Sequence, residues 1–217
     1  MSKPSDSQAA QRAAPGRPKD LAKRAAILEA AKSLFLEHGF DGVSMDQIAT
    51  LAGVSKLTVY SHFGDKDTLF IDAVEHYCDE QVPTTLFTRA PTRPLRERLC
   101  DIARAVYALM VSPEAVAGFR LMCASRGDPT LSDRFWNAGA GNLQAGFAAV
   151  LARRTAAGEL AVDDPACAAS QFFALLRGDL HPRLVMGSDA LAGVDVEAHI
   201  KATVDVFLRA YAVRPGT

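Results

Sequence analysis

The sequence predicts an all-α protein with an N-terminal domain of three helices and a larger, wholly helical C-terminal domain. Apolar residues recur at the three- and four-residue spacing of helices along most of the 217-residue chain. No segment alternates polar and apolar residues over a useful length, as a half-buried strand would. Glycine and proline separate the helical segments and mark where they end.

Composition and charge predict where such a chain works. No apolar run approaches the ~20 residues of a membrane helix, and residues 1–10 are polar, so we expect a cytoplasmic protein without a membrane partner. The formal net charge is −1. Six basic and two acidic residues give +4 in residues 1–24, which leaves −5 for the other 193 residues. A basic arm on an acidic body is typical of a protein with one end on nucleic acid, although a solubilising tail has a similar composition.

Residues 1–18 are predicted to form a flexible basic arm. Within it, a proline-stiffened Arg17 stands in Gly16-Arg17-Pro18-Lys19, where it could enter a narrow A·T-rich minor groove. A long helix follows from about Asp20 to His38 and ends at Gly39. Its inward stripe consists of Ile27, Ala31, Leu34 and Phe35.

Two short amphipathic segments flank Gly53 and carry the main functional signal. Ser44 is a candidate N-cap of the first, and Gln47 three residues later completes a capping box. Gly53 can adopt the left-handed conformation that ends a helix, and Ser55 can cap the second segment. The pattern predicts a helix-turn-helix within a domain spanning residues 19–66.

The second segment exposes polar groups of the kind that contact DNA. Val59 and Phe63 lie one turn apart and can face inward together. Hydroxyl, imidazole and ammonium groups at the start of a helix suit phosphates, while Leu57 could contact a thymine methyl and Lys56 a guanine edge. A helical hairpin without a partner would show the same spacing. The candidate DNA contacts are Arg17, Ser44, Ser55, Lys56, Leu57, Thr58, Tyr60, Ser61 and His62.

A helix from Asp65 to about Gln81 connects this domain to residues 67–217. Because Lys66 lies in its first turn, a shift of its far end would move the helix-turn-helix. Prolines at 83, 91 and 94 then predict a loop. Further helices are expected over residues 94–110, from Pro113, over 129–154, over 165–180 and over 196–212, with Gly139 and Gly141 kinking the third or admitting a close backbone.

Apolar residues of these helices suggest a ligand pocket and a dimer interface. The expected pocket wall consists of Val106, Tyr107, Met110, Phe119, Met122, Trp136 and Phe173. The expected interface, a four-helix bundle of 165–180 and 196–212 with their mates, uses Phe172, Leu176, Val204, Phe207 and Leu208. The alternative in both cases is ordinary core.

Motifs for metals, cofactors and catalysis were sought and not found in the sequence. The four cysteines are far apart without a C-x-x-C pair, and the five histidines lack metal-ligand spacing. G-x-S-x-G, P-loop and H-E-x-x-H motifs are also missing. We therefore predict no enzyme, no metal and no cofactor, and expect the thiols to be buried.

Residues 20–70 resemble the DNA-binding domain of the TetR family of bacterial transcriptional regulators. The matching segments are Ala26-Ile27-Leu28-Glu29-Ala30-Ala31-Lys32-Ser33-Leu34-Phe35, Gly39-Phe40, Ile48-Ala49, Ala52-Gly53-Val54-Ser55, Thr58-Val59-Tyr60, His62-Phe63, Lys66-Asp67 and Leu69-Phe70. The resemblance implies that Thr58, Tyr60, His62 and Lys66 contact phosphates. It also implies that Lys56, Leu57 and Ser61 meet bases.

Residues 119–184 resemble the C-terminal domain of AefR-like members of that family. The resemblance is carried by Phe119-Arg120-Leu121-Met122, Gly158-Glu159-Leu160, the helix after Asp164-Pro165 through Phe172-Phe173, and Phe207-Leu208-Arg209-Ala210-Tyr211.

Together these features predict a dimeric, ligand-responsive repressor of a palindromic double-stranded DNA operator, released by a small lipophilic or aromatic effector. The alternative is an all-α small-molecule carrier or scaffold that does not bind DNA. The basic arm and the polar row after Gly53 favour the first reading, since a carrier has no use for them.

Overall fold

The computed structural model describes residues 17–88, 93–124, 129–189 and 191–213, with the side chains of residues 17–19 and 124 excepted. The predicted arm up to residue 16 and the side chain of Arg17 therefore lie outside the described part. In that part the chain is helical, apart from loops and a single β-bridge between Leu160 and Ala212. The all-α prediction is confirmed.

Four helices form the N-terminal half. They are α1 (Arg17–His38), α2 (Met45–Leu51), α3 (Lys56–Phe63) and α4 (Lys66–Gln81). The first begins three residues earlier than expected, because proline is tolerated in the first turn of a helix. The other bounds lie within a residue of those predicted for the helix-turn-helix and the connecting helix.

The helix-turn-helix forms through the predicted local interactions. The Ser44 backbone N–H donates to Gln47 Oε1 at 2.7 Å, and Gln47 N donates to Ser44 Oγ at 3.3 Å, which completes the capping box. Gly53 has a φ of +66°, the left-handed conformation in which a side chain would be strained. The Val54 N–H then donates to the Ala49 carbonyl at 3.0 Å and closes the turn.

The N-terminal core is formed by α1 to α4 and completed by a later helix. Ile27, Ile48 and Val59 are fully buried in it. The Phe70 ring of α4 packs edge-on against Phe35, with the centroids 5.2 Å apart, and stacks with Phe135 at 6.0 Å. The helices α1, α2 and α3 alone would bury little surface, so α4 and the segment around Phe135 add the apolar area that they lack.

The rest of the chain is a helical bundle. Its elements are α5 (Thr85–Thr88), α6 (Leu95–Met110), α7 (Pro113–Ala124), α8 (Pro129–Trp136), a π-helical turn (Asn137–Gly141), α9 (Asn142–Ala156), α10 (Pro165–Arg177), α11 (Leu180–Val185) and α12 (Val196–Tyr211). The π-helical turn lies where two glycines predicted a kink. Sequence reasoning missed α5 and α11, which are too short for periodicity to detect.

Four of the five predicted interface residues belong to the core of a single chain. Phe172, Leu176, Val204 and Phe207 are at most 1% exposed, and only Leu208 is half-buried. Phe172 packs on Phe147 of α9 with the ring centroids 4.7 Å apart, because α9 covers the apolar face of α10. The prediction that these four residues meet a second copy is therefore wrong.

No single described helix has the length and apolarity needed to cross a membrane. The pair α6 and α7 meets that requirement together but is bent by 59° at the break between them.

Candidate nucleic-acid interface and ligand cavity

The outer face of α3 is a ridge of exposed side chains. Val59 is fully buried and Phe63 nearly so, as their spacing predicted, which turns the intervening residues outward. Leu57 is 79% exposed and Tyr60 42%. Large hydrophobic side chains with so much exposed surface are typical of a contact surface, provided that they lie together with polar groups. We call Ser55, Lys56, Leu57, Thr58, Tyr60 and Ser61 the α3 ridge.

Local hydrogen bonds position the polar members of the α3 ridge. Ser55 Oγ accepts from the Thr58 backbone N–H at 3.1 Å and caps α3, while the two hydroxyl oxygens lie 2.8 Å apart. Ser61 Oγ donates to the Thr58 carbonyl at 2.8 Å and remains exposed. One hydroxyl of the Ser55–Thr58 pair can therefore donate to an outside acceptor such as phosphate, whereas the single O–H of Ser61 is used within α3.

An ion pair joins the two helices of the motif on this face. Lys56 Nζ lies 2.9 Å from the Asp46 carboxylate, and both side chains are more than half exposed. The hydrogen bond and charge of Asp46 raise the pKa of Lys56, so the ammonium stays protonated. Sequence reasoning named Lys56 as a base contact but not the carboxylate that holds it, because the two residues lie in different helices.

Two of the expected phosphate contacts are engaged within the protein. Lys66 Nζ donates to the carbonyls of Phe40 and Val43, at 3.0 and 3.2 Å, and lies 4.2 Å from the centroid of the Phe40 ring. His62 Nε2 lies 3.1 Å from an Asp20 carboxylate oxygen, and its side chain is only 13% exposed. Both residues thus tie the motif to α1 and to the loop after it, a role that the family resemblance did not indicate.

A cavity of about 490 Å³ lies between the two halves of the molecule. Of the predicted pocket residues, Met110, Phe119, Trp136 and Phe173 line it. The other three lie elsewhere. Val106 and Tyr107 are buried in the C-terminal core, where their helix packs on α12, and Met122 packs against the N-terminal core.

The cavity wall extends onto the DNA-binding half, which the sequence did not predict. Phe35 and Leu36 of α1 line it, as do Phe70, Ala73 and Val74 of α4. Helical periodicity identifies the inner face of each helix but not the place where the inner faces fail to meet. A molecule in the cavity would therefore contact the helix that carries Lys66.

The π-helical turn packs directly on α4. A Cβ on Gly139 would lie 3.8 Å from Val74 Cγ1 and from Cys78 Sγ. Cys78 lines the cavity, and its burial raises the pKa of the thiol to about 11. The thiolate is therefore scarce at neutral pH, and this cysteine is a wall residue rather than a reactive group.

Only one described cluster has metal-ligand spacing, Glu29, His76 and Glu80 on α1 and α4. Lys32 Nζ lies 2.7 Å from Glu29 and 3.8 Å from Glu80. The cluster is thus an ion-pair network around an ammonium group, which occupies the place that a cation would take.

Comparison with known protein families identifies both halves. The model of the AefR-like transcriptional repressor C-terminal domain matches residues 97–213, more than half of the chain. The model of bacterial regulatory proteins of the tetR family matches residues 27–73, which include the helix-turn-helix. The chain belongs to the TetR family. It is a helix-turn-helix, DNA-binding transcriptional regulator and not an enzyme.

Two curated relatives match this TetR-family regulator over different lengths. The regulator RutR of Escherichia coli K12 is 33% identical over 153 residues, which is 66% of this chain and 67% of RutR. An uncharacterised regulator of Bacillus subtilis 168, YdeS, is 41% identical over 68 residues, 31% of this chain and 34% of YdeS. The shorter match has the higher identity.

Solved structures share the whole fold. A TetR-family regulator from Mesorhizobium loti is 30% identical with a TM-score of 0.75, over 91% of this chain and all of that one. The flavonoid-responsive regulator FrrA is 34% identical with a TM-score of 0.72, over 89% of this chain and 98% of that one. The N-terminal and C-terminal halves are thus arranged as in known members of the family.

Proposed function

We propose that the protein is a dimeric repressor that binds a palindromic operator and is released from it by a small lipophilic or aromatic effector. The observation that carries this proposal is the shared wall of the cavity: the residues that would contact the effector lie on α4, the helix whose first turn holds the DNA-binding motif together.

DNA contact is assigned to the α3 ridge. Lys56, Leu57 and Ser61 meet bases, and Thr58 and Tyr60 meet phosphates, with Ser44 and Ser55 at the helix starts beside them. Arg17 adds a minor-groove contact. His62 and Lys66 do not contact DNA directly but orient α3. His62 does so through Asp20, and Lys66 through the loop carbonyls of Phe40 and Val43.

The second copy is proposed to cover the outer faces of α10 and α12. Leu175 is 41% exposed and Val206 45%. Around them lie small exposed residues, Cys167, Ala202 and Ala210, which let helices approach closely. The two helices pack on each other, and Tyr211 of α12 donates a hydrogen bond to Gln171 of α10. Two copies would form a four-helix bundle and present the two α3 ridges at a spacing of about one DNA turn, ~34–36 Å, or a multiple of it.

Release follows from linkage between the two sites. An effector in the cavity, whose wall includes residues of α4 and of the π-helical turn, favours a position of α4 that differs from the DNA-ready one. Since Lys66 connects α4 to the loop before α2, the motif moves with it. A tenfold loss of operator affinity requires the effector to prefer the released form by about 1.4 kcal/mol. The description of FrrA as flavonoid-responsive supports an aromatic effector.

The proposal is tested on the DNA that flanks the protein's own gene, by fluorescence anisotropy and footprinting. We expect a protected palindrome with two half-sites, weakened by rising salt concentration, and a dimer in sedimentation at micromolar concentration. A small-molecule carrier would protect no site even in dilute salt. A monomer at micromolar concentration, or a footprint without two-fold symmetry, would overturn the dimeric mechanism.

A further inference from the structure

The two ends of the cavity differ in polarity. Where α1 and α4 form the wall it is mostly apolar, with Phe35, Leu36, Phe70, Ala73 and Val74, and its polar groups, Lys32 and the Tyr77 hydroxyl, are engaged within the protein. At the opposite end, polar side chains of α9, α10 and α11 line it, and these are Gln144, Ser170, Arg177 and His181. A ligand that matches both ends must carry a polar group at one end of an apolar body.

Among the residues that the structure describes, charge at the polar end is positive and has no acidic partner. Arg177 forms neither an ion pair nor a hydrogen bond with any residue that the structure describes. The other two wall cations are engaged: Lys32 with Glu29 at 2.7 Å, and Arg120 with the Val185 carbonyl at 2.8 Å. The one wall carboxylate, Glu114, accepts from the Tyr77 hydroxyl at 3.1 Å. An exposed guanidinium that also lines a mostly apolar cavity favours a carboxylate, sulfonate or phenolate.

His181 adds a neutral donor next to this cation. Its side chain is buried, and its ring meets Phe119 edge-on with the centroids 5.0 Å apart. Burial lowers the pKa of His181, and the charge of Arg177 lowers it further. The imidazole is therefore neutral at pH 7 and offers one N–H to a ligand oxygen without competing for the charge of Arg177.

Aromatic side chains also line the cavity. Trp136 is 40% exposed although it lies on the wall, and Phe119 and Phe173 also line the cavity. Rings are favourable neighbours for a flat aromatic body, through offset-stacked or edge-to-face contact.

We propose that the ligand of this cavity is an aromatic acid: its anionic group pairs with Arg177 and accepts from His181, and its ring system lies against Trp136. The inference rests on the proposed function insofar as the cavity is taken as the effector site. It excludes cationic and uncharged lipophiles as preferred ligands.

Two fluorescent probes with the same ring skeleton test this. 1-Anilinonaphthalene-8-sulfonate carries a sulfonate, and N-phenyl-1-naphthylamine is the same molecule without it. Trp136 is the only tryptophan of the chain, so energy transfer from it reports that a probe has bound to the protein, and the variants below assign that binding to the cavity. We expect the sulfonate to bind about tenfold more tightly, the factor that corresponds to 1.4 kcal/mol.

Variants of the dimeric protein localise the preference. Arg177→Gln should abolish the difference between the probes and leave binding of the uncharged probe unchanged. Arg183→Gln is the matched control, since Arg183 is exposed on α11, lies outside the cavity wall and pairs with Asp179 at 3.7 Å. It should retain the tenfold preference.

Three results would overturn the proposal: equal affinity for the two probes, no energy transfer from Trp136 to either one, or the same loss in Arg177→Gln and Arg183→Gln. Operator binding in the same samples separates this failure from that of the proposed function. A preference for the sulfonate without any effect on operator binding would leave the anion site standing and refute its role as effector site. If only the uncharged probe released the protein from its operator, the cavity would be the effector site and the proposed preference for an anion would be refuted.

Discussion

The α3 ridge and the cavity differ in how the chain builds them. The ridge and its caps come from residues 44–61, and its polar groups are set by contacts between close neighbours, such as Ser55 with Thr58. The cavity takes its wall from residues as far apart as Lys32 and His181. A surface of the first kind can be identified from spacing alone. The cavity cannot be identified in this way, because it forms where helices distant in sequence pack without filling the space between them.

Lys66 gives the strongest test of this difference between local and long-range contacts. By motif it belongs to the ridge, but its hydrogen bonds reach back 23 and 26 residues to Val43 and Phe40. Lys66→Met removes two charge-assisted bonds, each worth roughly 1.5–3 kcal/mol. We expect the free energy of unfolding to fall by about 3 kcal/mol, measured by urea denaturation.

Lys56→Met serves as the control for that variant, because it removes an exposed ammonium in an exposed ion pair and should leave the free energy of unfolding nearly unchanged. If Lys66→Met kept full stability and instead lowered the salt dependence of operator binding by about one unit, Lys66 would be a phosphate contact after all.

Gly146 tests the packing of the C-terminal half. A Cβ at this position of α9 would lie 2.8 Å from Phe87 Cδ2, and Phe87 is buried in the core. Gly146→Ala should therefore destabilise the protein by about 1–3 kcal/mol through overpacking, as seen by thermal unfolding.

Gly118→Ala is the matched change with the opposite expected sign. Its Cβ would lie 3.8 Å from the Phe135 ring, an ordinary contact. Replacing a glycine inside α7 should then stabilise the protein by about 0.5–1 kcal/mol. Equal effects of the two alanines would mean that Phe87 does not pack as described.

Ser55 tests the local origin of the α3 ridge. Ser55→Ala removes the N-cap of α3 and should cost about 1 kcal/mol of stability, read from the denaturation midpoint at constant slope. Ser61→Ala removes a similar hydroxyl that donates only to the Thr58 carbonyl, and its stability should stay within about 0.5 kcal/mol of the parent. A larger loss for Ser61 than for Ser55 would contradict the capping role.

Leu57→Ala should leave stability almost unchanged, and its effect should be confined to DNA recognition. Its side chain is 79% exposed, so Leu57→Ala should leave stability within about 0.5 kcal/mol. Selection from a randomised operator library should show a weakened preference at one base pair per half-site, worth about 1 kcal/mol for the lost methyl contacts. Uniform weakening at all positions would make Leu57 a general contact instead.

The predicted interface shows where sequence reasoning stops. Phe172 and Phe207 lie on the apolar stripes of their helices, as expected, yet both are buried against the rest of their own chain. Helical periodicity indicates that the apolar face of a helix is covered, but it does not show whether the same chain or a second copy covers it. The exposed Leu175 and Val206 give a weaker apolar signal, because small alanines surround them.

The amino-acid sequence by itself determined the helix-turn-helix, its caps at Ser44 and Ser55 and the outward face of α3, because these depend on bonds between residues three or four apart. Tertiary structure alone decided that Lys66 holds a loop, that α9 covers the inner face of α10, and that the cavity reaches α4. Each of these depends on groups that meet only after distant helices have packed, and burial against a distant helix has no period in the sequence.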